Sequence, residues 1–129
     1  MKELFKEKAR NIKIIICKEE ILDPIEKNTK KIPIMYIPIK AIVADLSFSK
    51  VQWVMPGVTV SKAKEIIIQR KDYNKINLSS SIFIENETYI GFKANGRFQY
   101  KETDDKAYIR CFIYIKQIKR KITHKRKMR

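Results

Sequence analysis

From Ser81 to Lys116 the chain has a pattern that only antiparallel strands satisfy. In SIFIENETYIGFK, Ile82 and Ile84 alternate with Ser81 and Phe83, ENET turns the chain, and Tyr89, Gly91 and Lys93 then alternate with Ile90 and Phe92. A period of two marks a strand with one buried face. KANGRFQYKE follows directly, and its Asn95-Gly96 pair is the strongest two-residue hairpin signal, because a type I′ turn needs positive φ at both central positions. TDDK supplies another turn before AYIRCFIYIK, where Ile109, Cys111, Ile113 and Ile115 share one face and Tyr108, Arg110, Phe112 and Tyr114 the other. The pattern predicts a meander of strands near 79–85, 88–94, 97–102 and 107–116.

The first two thirds point the same way. NIKIIICKE reads as a β-branched strand near 11–19, and DPIEKNTKK as a polar connection opened by the Asp23-Pro24 turn signal. IPIMYIPIKAIVADL is a long strand in which Pro33 and Pro38 cannot donate to a ladder, which predicts an edge position or a bulge. AKEIIIQR near 63–70 is a further strand, and only MKELFKEKAR has helical spacing. These elements predict an all-β protein: a small antiparallel β-barrel or curled sandwich, closed to hide its edges, with a long loop after the second strand. The expected organisation is a short N-terminal helix or arm over 1–10, a barrel domain over 11–117 and a basic tail over 118–129.

The tail is the strongest charge feature. Lys116, Lys119, Arg120, Lys121, Lys125, Arg126, Lys127 and Arg129 occur without a single carboxylate among them. Removing those eight cations from the formal net charge of +15 leaves +7 over residues 1–115, so the body is basic in its own right. Such uncompensated charge calls for a polyanion or an acidic protein surface, or else a solvated end. No run of apolar residues is long enough for a membrane span, and the opening residues lack a signal-peptide core, as expected of a chain kept in a cytosol without a membrane partner. Cys17 and Cys111 each sit within apolar runs and read as reduced core residues.

Groups able to titrate or coordinate are scarce. The sole histidine, His124, lies among the tail cations, and the three glycines are scattered. These counts argue against a histidine-based triad, a zinc site or a phosphate-cradling loop, and the expectation is a non-enzymatic protein with no catalytic residues, no metal and no cofactor. Two other features stand out. ADLSFSKVQWVMPGVTVS is a long apolar connection holding Phe48, Trp53 and Met55, and Trp53 reads either as a core cap or as part of a contact surface. GRFQYK and the Tyr108, Arg110, Phe112, Tyr114 face interleave aromatics with cations, as a nucleic-acid-binding barrel of the OB or Sm type would. A basic ribosome-associated protein is a further alternative.

Residues 12 to 117 resemble the small β-barrel neck proteins of tailed bacteriophages, the head–tail connector, head-completion or "stopper" proteins below the portal. The resemblance is carried by MPGVTVSKAKEIIIQRKDYNKINLSSSIFIENETYIGFKANGRFQYKE and YIRCFIYIKQ, with Ile82, Ile84, Tyr89 and Ile90 on the family's strand pattern. It implies a virion protein, assembled in the host cytoplasm, that forms a homo-oligomeric ring of six or twelve subunits between portal or adaptor proteins and tail proteins. Such a ring helps retain packaged DNA. Phe48, Trp53 and Met55 would then belong to a channel loop or subunit contact, Tyr108, Phe112 and Tyr114 to a subunit interface, and the tail would meet DNA in the channel or an acidic neighbouring ring. The cationic tail and the apolar loop depart from the family pattern.

Overall fold

The computed structural model describes residues 1–23, 25 and 28–117. Among these, nine strands and three short helices follow one another in the order α1 (Lys2–Lys8), β1 (Arg10–Asp23), β2 (Asn28–Asp45), α2 (Phe48–Val54), β3 (Val60–Gln69), a 3-10 turn (Arg70–Asp72), α3 (Tyr73–Asn77), β4 (Ser81–Ile84), β5 (Glu87–Gly91), β6 (Lys93–Ala94), β7 (Arg97–Phe98), β8 (Tyr100–Glu102) and β9 (Tyr108–Lys116). Seven strands form one antiparallel sheet in the order β3, β2, β1, β4, β5, β9, β8, and β3 also pairs with β9. That pairing closes a ring of six strands: β1, β2, β3, β9, β5, β4 and back to β1. β8 hangs on β9 as the free edge.

Alternation along each strand fills the ring. Ile12 and Ile14 of β1, Ile39 and Ala41 of β2, Ile66 and Ile68 of β3, Ile82 and Ile84 of β4, Tyr89 of β5, and Ile109, Cys111 and Ile113 of β9 all meet in one buried cluster. Ile76 of α3 and Phe98 of β7 join the same cluster. Outside the ring, Phe5 of α1 packs on Tyr108, with ring centroids 4.9 Å apart, and α2 covers Phe112 with Val51 and Met55. Helix-forming residues are thus used to cover what the strands leave apolar on their outer face.

Both expected tight turns are present. Asn95 and Gly96 have φ of 56° and 78°, and the ENET turn is the two-residue pair Glu85-Asn86, with φ of 48° and 67°. Pro33 also behaves as its chemistry requires, because the register slips between Ile16 paired with Met35 and Cys17 paired with Pro33, leaving Ile34 as the extra residue of a bulge. The sequence reading missed α2, the 3-10 turn and α3, all placed there in loop or connection. Their stretches are five to seven residues or shorter, rich in β-branched, aromatic and Asn residues whose intrinsic helix propensity is poor.

Candidate functional site

β1 and β2 are far longer than the barrel needs. β4 pairs with β1 only at Lys13 to Ile15, and β3 pairs with β2 only at Ala41 to Asp45. Beyond those points the two strands pair with each other alone, from Ile16–Met35 out to Asp23–Asn28. At about 3.3 Å per residue this is a two-stranded arm roughly 25 Å long. Its cross-strand register is orderly, since Glu19 faces Lys31 and Glu20 faces Lys30. Such pairs support a ribbon locally.

The arm is apolar on both faces. Alternation puts Ile16, Met35, Ile32 and Leu22 on the face continuous with the barrel interior, and Tyr36, Cys17, Pro33 and Ile21 on the other. Ile21 is 65%, Leu22 59%, Ile34 57%, Met35 50% and Tyr36 59% exposed. A soluble two-stranded ribbon ordinarily keeps at least one polar face and is marginally stable in water even then. These residues were not singled out from the sequence. Their only signal was length, two strand runs of 14 and 18 residues where a six-stranded barrel needs far fewer.

At the other end of β2 stands α2. Its N-cap is Ser47, whose side chain accepts from the Lys50 amide at 3.3 Å, and its buried side is Val51. Val51 and Met55, four residues apart, pack with Val60, Ala63 and Phe112. Trp53 and Phe48 point outward and are 83% and 74% exposed. Trp53 is therefore no core cap; Val51 and Met55 perform that task. Met55 is fully buried, which removes it from any channel-lining or contact role in the folded chain. Tyr108 and Phe112 need the same correction. They lie 6% and 3% exposed beneath α1 and α2 respectively and are not spare interface aromatics, while Tyr114 is half-buried against the second cluster.

Beside α2, on the outer wall made by β9 and its neighbours, runs a groove of ≈ 320 Å³ lined by Val54, Pro56, Phe92, Ala94, Gln99, Tyr100, Lys101 and Phe112. Lys116, at the end of β9, is exposed. The remaining tail cations Lys119, Arg120, Lys121, Lys125, Arg126, Lys127 and Arg129 lie outside the described residues.

Polar side chains close the barrel mouth near α2. Interior-facing positions change from isoleucine to charge there, giving the pairs Lys64–Asp45 at 2.5 Å, Lys62–Glu87 at 2.6 Å and Arg10–Glu85 at 2.7 Å. The Lys64 ammonium, through its hydrogen bond, holds the Asp45 carboxyl below its ordinary range, and Arg10 and Lys62 do the same for Glu85 and Glu87. Burial pushes the Tyr89 phenol beneath them up to about 12. Every group in this network is matched, which suits a structural plug rather than a reacting centre.

A row of Arg70, Tyr100, Tyr73 and Arg97 is the other aromatic feature. Tyr73 and Tyr100 meet edge to face at 5.1 Å, with Arg70 5.8 Å from the Tyr100 ring and Arg97 5.3 Å from the Tyr73 ring. Tyr73 donates to the Phe98 carbonyl at 2.7 Å, and Arg70 binds the Lys106 carbonyl and Glu102. The row stitches α3 to the meander. Among the described residues no cluster of His, Cys, Asp or Glu is placed to hold a metal, and no helix is long and apolar enough to cross a membrane. Compared with protein-family models, curated proteins and solved structures, the chain matches none.

Proposed function

We propose that this chain is a non-enzymatic, ring-forming structural protein of a tailed-phage type of neck, joining head to tail and helping to retain packaged DNA. The observation that carries the assembly part of this reading is the arm. Five exposed apolar side chains on both faces of a projecting ribbon are stable in water only when another surface covers them, and each releases roughly 1.5–3 kcal/mol on full burial. The neck itself rests on the strand-pattern resemblance of residues 12 to 117. Repetition around an axis would gather many cationic tails into one zone of positive potential, suited to DNA or to an acidic neighbouring ring.

The test is the mass of the purified chain by light scattering, joined to negative-stain imaging. Rings are expected, and replacing residues 17–34 by Asn-Gly, which reconnects Ile16 to Met35 through a tight turn, should leave a folded monomer. A full-length protein that stays monomeric at all concentrations defeats the reading. The second reading, a nucleic-acid-binding barrel, draws on the Tyr73–Tyr100 row. It is weaker because the polar atoms of that row are already bonded within the chain; a monomer whose single-strand binding is lost in Tyr100→Ala would favour it.

A further inference from the structure

We infer that the arm of one copy seats in the groove beside α2 on the next copy, so that the chain assembles head to tail with itself. This rests on the ring-forming reading above and names its junction. In the six-strand ring, β9 lies three places round from β1, and β5 three places round from β2. The arm therefore leaves from one wall and the groove opens on the opposite wall. A chain cannot fill its own groove, and another copy can. Two unlike surfaces on opposite walls make a heterologous contact, which repeats until the rotation closes a ring.

The two surfaces are complementary. The groove is lined chiefly by apolar or aromatic groups, Val54, Phe92, Tyr100 and Phe112, and the arm offers Ile21 and Leu22. In charge the arm is the exception of the molecule. Residues 19–26 hold Glu19, Glu20, Asp23 and Glu26 with no cation, in a chain whose formal net charge is +15. Lys101 stands on the groove's rim. Acidic residues beside exposed apolar ones on one partner, and a cation beside an apolar trough on the other, fix register as well as affinity. The main chain adds a third match. β8 ends the sheet order beside the groove, and β1 beyond Ile15 pairs with β2 alone, so each side presents a strand edge able to accept another.

Two variants test this junction. Ile21→Ser with Leu22→Ser disables the arm, and Ala94→Arg with Lys101→Glu fills and reverses the groove. All four residues are exposed, and thermal melting confirms that each variant folds. Each variant alone should sediment at the monomer mass of 15.3 kDa. Their equimolar mixture should yield a dimer of one copy each and nothing larger, because a single intact arm meets a single intact groove. Lys101→Glu alone should raise the midpoint concentration of assembly on the order of tenfold. Adding Glu20→Lys in the same chain should restore it. A groove variant that still forms rings, or a mixture that stays monomeric, overturns the junction and leaves the ring reading standing. An unaltered chain that never assembles overturns the ring reading itself.

Discussion

Gly91 carries the Phe98 ring directly over its α-carbon, so that a methyl group there would overlap the ring. Phe98 is 1% exposed and part of the barrel core, and it cannot move aside without opening that core. Gly91→Ala should therefore cost about 1–3 kcal/mol, the range for overpacking, measured by chemical denaturation. Trp53 behaves in the opposite way. At 83% exposure its replacement by alanine should change the stability of the isolated chain by less than about 0.5 kcal/mol while weakening assembly. Its fluorescence should shift to shorter wavelength as rings form. A drop of roughly 3–5 kcal/mol, the range for a deleted core aromatic, would contradict the exposed placement. From sequence, Trp53 as cap and Trp53 as contact were both open. What decides is that Val51 and Met55 sit one turn apart and face Phe112, and that spacing reads as helical only once the surrounding strands are known.

Among the elements, those with local turn chemistry were legible. Asn95-Gly96 and the alternation on either side of ENET define the meander because positive φ and a period of two are properties of the chain itself. The arm was not legible. Strand character at Ile16 to Asp23 and Asn28 to Ile37 is plain in the residues, but where a strand stops having a third neighbour depends on the lengths of β3 and β4, a long-range matter. The plugged mouth depends on partners far apart in sequence for the same reason. Its carboxyls make a pH prediction. Asp45, Glu85 and Glu87 have folded-state pKa values below their ordinary 3.8, 4.5 and 4.5, so the unfolded chain takes up protons first as pH falls. Their contribution is complete above those ordinary values and is lost as pH drops through and below them. Lys62, raised above its ordinary 10.5 by the hydrogen bond to Glu87, contributes fully below that value and ceases to contribute above it. The melting temperature should be flat from about pH 7 to 5.5 and decline below about 4.5. The double variant Lys62→Met, Glu87→Gln should flatten part of that acid limb, and an unchanged limb would remove the pair from the account. All three pairs are solvent-facing, so 1 M salt should mimic part of the effect.

For the whole molecule, charge and interior point in different directions. Deleting residues 118–129 removes seven of the tail cations. If they follow a DNA backbone, the slope of log affinity against log salt should flatten by about 0.9 for each phosphate no longer neutralised. If they dock on an acidic ring, joining to that ring should fail while weak DNA binding stays nearly as before. A deletion that disturbs neither would leave the tail as a solvated end. The interior is the more restrictive feature. Isoleucines from all but one of the six strands, with Tyr89 from β5, meet at the barrel's centre, and ion pairs stopper one mouth while Ile76 and Phe98 occupy the rest. Nothing can thread through such a subunit. In an assembly of these chains any bore is bounded by their outer skins alone, so its width is counted in copies, and enlarging it means adding a subunit rather than altering a residue inside one.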